Sequence, residues 1–201
     1  MLIWLARRMP PWINSDHLTL LGFLGMIMAG VCYALARWNP LALAGAVVCL
    51  GINWFGDSLD GTLARVRDRQ RPRYGFYVDH IIDTFGAIFL IGGLGLSGYM
   101  TGTLAMALLI AYFLLAIELY LATYCVGVFR LSFGIWGPTE LRIVLAAGSF
   151  ILLVKPAVTI AGRQYLLCDV SAVVAIAALT IIAITSTIRN TIRLYREERI
   201  P

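Results

Sequence analysis

Charge is scarce in this sequence. Only 13% of its 201 residues are Asp, Glu, Lys or Arg, about half the share of an ordinary soluble domain. That shortage excludes a cytoplasmic domain, a disordered chain and a nucleic-acid-binding module. Linkers, internal repeats and low-complexity runs are missing too, so residues 1–201 read as a single membrane-embedded domain. No CxxC spacing occurs, and Cys32, Cys49, Cys125 and Cys168 sit in apolar surroundings, where they read as packing residues. The N-terminal run MLIWLARRMPPW lacks an A-x-A-like site after its first apolar stretch. That argues against a cleaved signal peptide and suggests a short amphipathic helix lying at the membrane interface.

What fills the chain instead is apolar: 60% of residues, with a mean hydropathy of +0.84. Six apolar stretches can be drawn, at about 18–36, 41–63, 76–96, 103–128, 141–154 and 165–188. The expected fold is therefore an all-α integral membrane protein, six transmembrane helices preceded by the interfacial helix. No separate soluble domain fits in what remains, so any chemistry must be built from the spans and their short connections. Six spans put both ends on one side. That side collects Arg7 and Arg8, the run Arg65, Arg67, Arg69, Arg71 and Arg73, then Arg130, Arg142 and the C-terminal arginines. The other side holds only Arg37, Lys155 and Arg163. By the positive-inside rule both termini face the cytoplasm, in an inner or plasma membrane. The net charge of +5 is first a sign of this orientation.

The apolar pattern breaks at one place. Asp57 and Asp60 stand at the end of the second stretch, Asp79 and Asp83 at the start of the third. Each pair is spaced i,i+3 or i,i+4, which puts two carboxylates on one helix face. An Asp at a helix centre in the bilayer costs about 2.5–3.5 kcal/mol, so something must offset four of them. Neighbouring arginines such as Arg65 are one answer, giving a structural Asp–Arg network. A cage of carboxylate oxygens for hard divalent cations is the other; Mg²⁺ in particular takes a few carboxylates, substrate phosphates and waters. The accompanying Gly61 and Gly75 favour the cage, because small residues there leave a groove in which a ligand can approach the backbone.

The stretch Asp57-x₂-Asp60-Gly61-x₂-Ala64-Arg65-x₉-Gly75-x₃-Asp79-x₃-Asp83 resembles the signature of the CDP-alcohol phosphotransferase family. One spacing departs from it: nine residues separate Arg65 from Gly75, where eight are usual. The resemblance implies a transferase that moves a substituted phosphate from a CDP-alcohol to an acceptor hydroxyl and releases CMP, in phospholipid synthesis. It implies that Asp57, Asp60 and Asp79 hold two divalent cations, Mg²⁺ or Mn²⁺, with Asp83 completing the site and acting as a base. Gly61, Ala64, Arg65 and Gly75 would border the cytidine diphosphate, with Arg65 pairing to phosphate. The arginines at 67, 69, 71 and 73 suit either an electrostatic funnel for an anionic nucleotide or the orientation bias alone. Members of the family are commonly homodimers.

Two further residues are similar to the choline and ethanolamine phosphotransferase branch. His80 follows Asp79 directly, and Glu140 stands in Gly137-Pro138-Thr139-Glu140 at the head of the fifth stretch. A neutral imidazole sharing a face with Asp83 can take the acceptor proton, and a carboxylate such as Glu140 can orient it. The first expectation is thus a CDP-choline or CDP-ethanolamine donor with a diacylglycerol-like acceptor. The alternative is a CDP-diacylglycerol donor with a soluble alcohol such as an inositol phosphate or glycerol phosphate. A rival of another class, a divalent-cation transporter, lacks a second acidic site across the membrane and a broken midplane helix. Asp16 reads as an N-cap of the first span, and His17 as interfacial. Glu118, within the fourth stretch, is a functional candidate by its place, contacting either a headgroup or the tyrosines 112, 120 and 124. The string Gly92-Gly93-x-Gly95-x₂-Gly98-x₃-Gly102 would permit close helix contact.

Overall fold

The computed structural model describes residues 1–127 and 138–198. Val128, Arg130, Gly137 and Arg199, invoked above, lie outside the described residues. The chain folds as α1 (Leu2–Arg8), α2 (Ser15–Leu35), α3 (Ala42–Val66), α4 (Pro72–Leu96), α5 (Gly102–Val126) and α6 (Pro138–Val154). A hairpin of β1 (Ala157–Ile160) and β2 (Arg163–Leu166) follows, then α7 (Leu167–Glu197). Among the described residues five helices, α2, α3, α4, α5 and α7, are long and apolar enough to cross a membrane. The expected fifth span corresponds to α6, which has 17 residues.

Local chemistry sets most of the boundaries. Asn14, not Asp16, caps α2: its backbone N–H donates to His17 Nδ1 at 3.1 Å, the reciprocal arm of a capping box. Both residue types cap helices well, but Asp16 is already in the first turn. Pro72 opens α4 at a position where no N–H is needed. Gly127 closes α5 in the left-handed conformation, φ 69°. The hairpin turns on Ala161 and Gly162, both with positive φ (49° and 79°), as a two-residue primed turn requires. The hairpin fills most of the connection between the fifth and sixth apolar stretches and takes the first two residues of the sixth, so α7 begins at Leu167 rather than Tyr165 and runs on to Glu197.

The helices pack backbone to backbone where side chains are missing. A Cβ on Gly30 would lie 2.2 Å from the Phe89 carbonyl oxygen, and one on Gly93 would lie 2.1 Å from the Gly30 carbonyl oxygen. On the other side of α2, a Cβ on Gly56 would meet the Leu18 carbonyl oxygen at 2.5 Å. Thus α2 is wedged between α3 and α4. Of the glycine string, Gly93 makes such a contact with α2 and Gly95 faces Ala105 of α5, whereas Gly92 and Gly98 meet nothing.

An apolar cluster including Ala29, Tyr33, Leu43, Leu50, Leu90 and Leu94 fills the centre, and Tyr33 Oη pairs with Ser149 Oγ of α6 at 2.8 Å. At one end of the bundle Asp169 of α7 accepts from Thr101 N–H (2.7 Å) and Thr101 Oγ1 (2.6 Å), clasping the α4–α5 turn. At the other end α1 lies on α3, its buried Ala6 packed with Leu18, Leu59 and Leu63. Trp4 faces outward beneath the Arg8 guanidinium.

Candidate active site

Only a short turn separates α3 from α4, so the helices run antiparallel and their polar ends meet. Asp57, Asp79 and Asp83, all half-buried, each offer a carboxylate oxygen within 4.8 Å of the others. Asp60, expected in the same cage, is turned aside. Its Oδ2 accepts from Thr19 Oγ1 of α2 at 2.8 Å, and its Oδ1 accepts from the Gly61 N–H at 2.5 Å. Thr19 had given no sign of a role, because a partner on another helix leaves no mark in the local pattern.

Beside the acids lies a cavity of about 300 Å³. Gly61, Ala64, Arg65 and Gly75 all line it, together with Asp57, Asp60 and Asp79, and α2 closes it with Ser15, Asp16 and Thr19. The two glycines differ from those of the helix contacts. A Cβ on Gly75 would meet nothing within 4 Å, and one on Gly61 only the tip of Arg65 at 4.0 Å. Glycine inside a helix costs about 0.5–1 kcal/mol relative to alanine. Here that cost is not offset by packing; it leaves open space beside the acids.

The arginines divide their work. Arg69 and Arg71 line the cavity. Arg71 pairs with Asp16 across it and lies over the Tyr74 ring; the bond to Asp16 lifts its already high pKa, so it stays charged. Arg67 instead donates to three carbonyl oxygens, Met9 (2.9 Å), Pro10 (2.9 Å) and Ile13 (2.5 Å). It fastens the segment between α1 and α2 to the end of α3 and is not available to a nucleotide.

His80 sits one residue beyond Asp79, its ring stacked on Phe76 at 4.2 Å and edge-on to Tyr120 at 5.1 Å. Its Nδ1 lies 2.6 Å from the Phe76 carbonyl oxygen. A carbonyl can only accept, so Nδ1 carries a proton and donates it to Phe76. The backbone carbonyl one turn back thus helps to orient the ring. Glu140 itself is exposed in the first turn of α6.

Arg142, two residues on, reaches the acids: its Nη1 stands 2.8 Å from Asp57 Oδ2. Its Nε donates to Asn53 Oδ1 at 2.6 Å. Neither Arg142 nor Asn53 was marked as a site residue by the sequence. The available signal was Asn53 lying four residues before Asp57, on the same face of α3. Glu118 accepts from Asn190 of α7 at 2.7 Å, rather than from any of the three tyrosines.

The donor set at Asp57, Asp79 and Asp83 is all carboxylate oxygen and closely grouped, which fits a hard divalent cation. The sequence model of the CDP-alcohol phosphatidyltransferase family matches residues 12–188. The chain belongs to this family. As a CDP-alcohol phosphatidyltransferase it is an enzyme, a transferase that takes its phosphatidyl or related group from a CDP-alcohol in phospholipid synthesis. Its apolar helices fit an integral membrane protein. The matched segment contains every acid of the cluster and the whole glycine-lined cavity. A comparison with curated proteins finds no match.

Proposed function

We propose that this transferase moves a phosphoalcohol from a CDP-aminoalcohol, of the choline or ethanolamine type, to the hydroxyl of a diacylglycerol-like acceptor, releasing CMP. The observation that carries the reading is the three-acid group opening beside a glycine-lined cavity, with His80 next to it. Asp57, Asp79 and Asp83, with Asp60 beside them, would hold Mg²⁺ or Mn²⁺, as two ions. The ions would supply positive charge to the diphosphate and the departing CMP phosphate. Gly61, Ala64 and Gly75 let the nucleotide approach the helix backbone, and Arg65 pairs with its phosphate.

In this reading His80 Nε2 accepts the proton of the acceptor hydroxyl. The oxygen attacks the phosphorus that bears the donor alcohol, and the bond from that phosphorus to the CMP oxygen breaks, the electron pair leaving with CMP. Phe76 helps to orient the ring, Asp83 is the alternative base, and Glu140 is the carboxylate assigned to stabilise the imidazolium. The same reading has α6 crossing as a sixth span. Its 17 residues give about 26 Å of helix against a hydrocarbon core of about 30 Å, a mismatch that local thinning absorbs. Both termini and the acids then lie on the cytoplasmic side, where the arginine-rich α3–α4 turn belongs. The working form is a homodimer.

The test is CMP release by the purified chain from a panel of CDP-alcohols with Mg²⁺, with and without diacylglycerol. Turnover of CDP-choline or CDP-ethanolamine that requires diacylglycerol, lost with Asp79→Ala and with chelator, is the expected result. Turnover only of CDP-diacylglycerol with a soluble alcohol would reverse donor and acceptor. Full turnover by the Asp79→Ala variant would overturn the site.

A further inference from the structure

Four groups on three helices form one line of hydrogen bonds that ends on the acid cluster. The Gly22 carbonyl of α2 accepts from Asn53 Nδ2 of α3 at 2.9 Å. Asn53 Oδ1 accepts from Arg142 Nε of α6 at 2.6 Å, and Arg142 Nη1 pairs with Asp57 Oδ2 of α3 at 2.8 Å. Asn53 is 4% exposed, and the Arg142 side chain 12%, so these bonds are sheltered from water. The Asn53 amide can face only one way. Reversed, it would set its NH₂ against the guanidinium and its oxygen against a carbonyl.

We propose that Arg142 is a positioning residue for the metal-binding acids. Aimed by Asn53, it holds the Asp57 carboxylate in the attitude in which it joins Asp79 and Asp83. This rests on the metal-dependent reading above. The guanidinium is planar and its donors are fixed relative to one another. Two of them engage residues one helical turn apart on α3, which sets the plane of the group and, through it, the carboxylate. One carboxylate oxygen bound to Arg142 leaves further lone pairs for a cation. Groups that hydrogen-bond a metal's carboxylate ligands shape affinity in this way, and their loss typically costs ten- to a hundredfold. Through Arg142, α6 supplies to the site something neither acid-bearing helix carries, a fixed cation that restrains the acids from outside their cage.

The competing explanation is charge alone: a positive group balancing three acids, or competing with the metal for Asp57. The variants Arg142→Lys, Arg142→Gln and Asn53→Ala separate the two. Each is made in the full chain, checked by gel filtration and thermal melting in detergent, and titrated with Mn²⁺ without nucleotide, read by electron paramagnetic resonance. All three are expected to bind Mn²⁺ about ten- to a hundredfold more weakly than the parent chain. Arg142→Lys fails despite its charge, and Asn53→Ala fails although Asn53 is neutral and reaches Asp57 only through Arg142.

Unchanged affinity in Arg142→Lys, or tighter binding in Arg142→Gln, would overturn the proposal. Should Asn53→Ala not fold, the two Arg142 variants still decide. In the CMP-release assay, raising Mn²⁺ is expected to restore the rate of Arg142→Lys, which mere loosening of the bundle would not allow. A parent chain that binds Mn²⁺ yet releases no CMP from any CDP-alcohol would sink the proposed reaction and leave the Mn²⁺ comparison standing.

Discussion

Gly61→Ala is the perturbation that most directly separates a glycine kept for a ligand from one kept for packing. Gly61 lies inside α3, where alanine is favoured by about 0.5–1 kcal/mol. The added methyl would meet only the end of the flexible Arg65 side chain, at 4.0 Å. Nothing in the fold resists it, so the thermal midpoint in detergent should stay level or rise, by about 2–4 °C for each kcal/mol gained. The methyl would instead project into the cavity beside Asp57 and Asp60, where the nucleotide is to approach the helix. A displacement of about 1 Å there costs on the order of a hundredfold. The kcat/KM for CMP release should therefore fall by about that factor, mainly through KM for the CDP-alcohol. Gly30→Ala is the contrasting control. Its methyl would lie 2.2 Å from the Phe89 carbonyl oxygen, and overpacking of that kind destabilises by about 1–3 kcal/mol or more. A Gly61→Ala protein that melts lower while keeping its kcat/KM would refute the reasoning, because the glycine would then be structural.

Two other outcomes follow from the geometry. His80→Ala should lower kcat by about 10²–10⁴-fold with little change in KM for the donor; an unaltered kcat moves the base role to Asp83. Arg67→Ala strips donors from three carbonyls, at a cost of about 1.5–3 kcal/mol for a charged hydrogen-bonding group. Limited proteolysis should then cut the segment between α1 and α2 sooner, and cutting at the parent rate would mean that Arg67 does not hold it.

The acids were legible because charge is so rare in this chain. Asp57, Asp79 and Asp83 stand out from an apolar background, and their spacing fixes their helix faces. The cavity residues Gly61, Ala64, Arg65 and Gly75 followed from the same stretch. Partners on other helices were not legible. Nothing near Asp60 announces Thr19, and Arg142 at the head of α6 resembles any arginine that marks a span's end. Asp16 lost the cap of α2 to Asn14 because His17 is placed to answer Asn14, a difference of two residues that residue type alone does not resolve. The hairpin was missed because most of it falls in the connection between two apolar stretches, where four-residue strands carrying Arg163 and Gln164 leave no long apolar pattern. Only the Ala161–Gly162 turn distinguishes it.

The bond between Asn190 and Glu118 also works as a depth gauge. It ties α7 to α5, and on α5 the Tyr120 ring rests against His80, so Asn190 marks the level of His80. About 35 Å of helix separates it from Leu167, where α7 begins, at a rise of 1.5 Å per residue. A bilayer's hydrocarbon is only about 30 Å thick. For a helix crossing the membrane, His80 and its neighbours then lie at the height of the glycerol backbone of the adjacent lipids. A diacylglycerol hydroxyl already rests at that height. In the proposed reaction it would reach the site by sliding sideways, with its acyl chains never leaving the oil and its partner nucleotide never leaving the water.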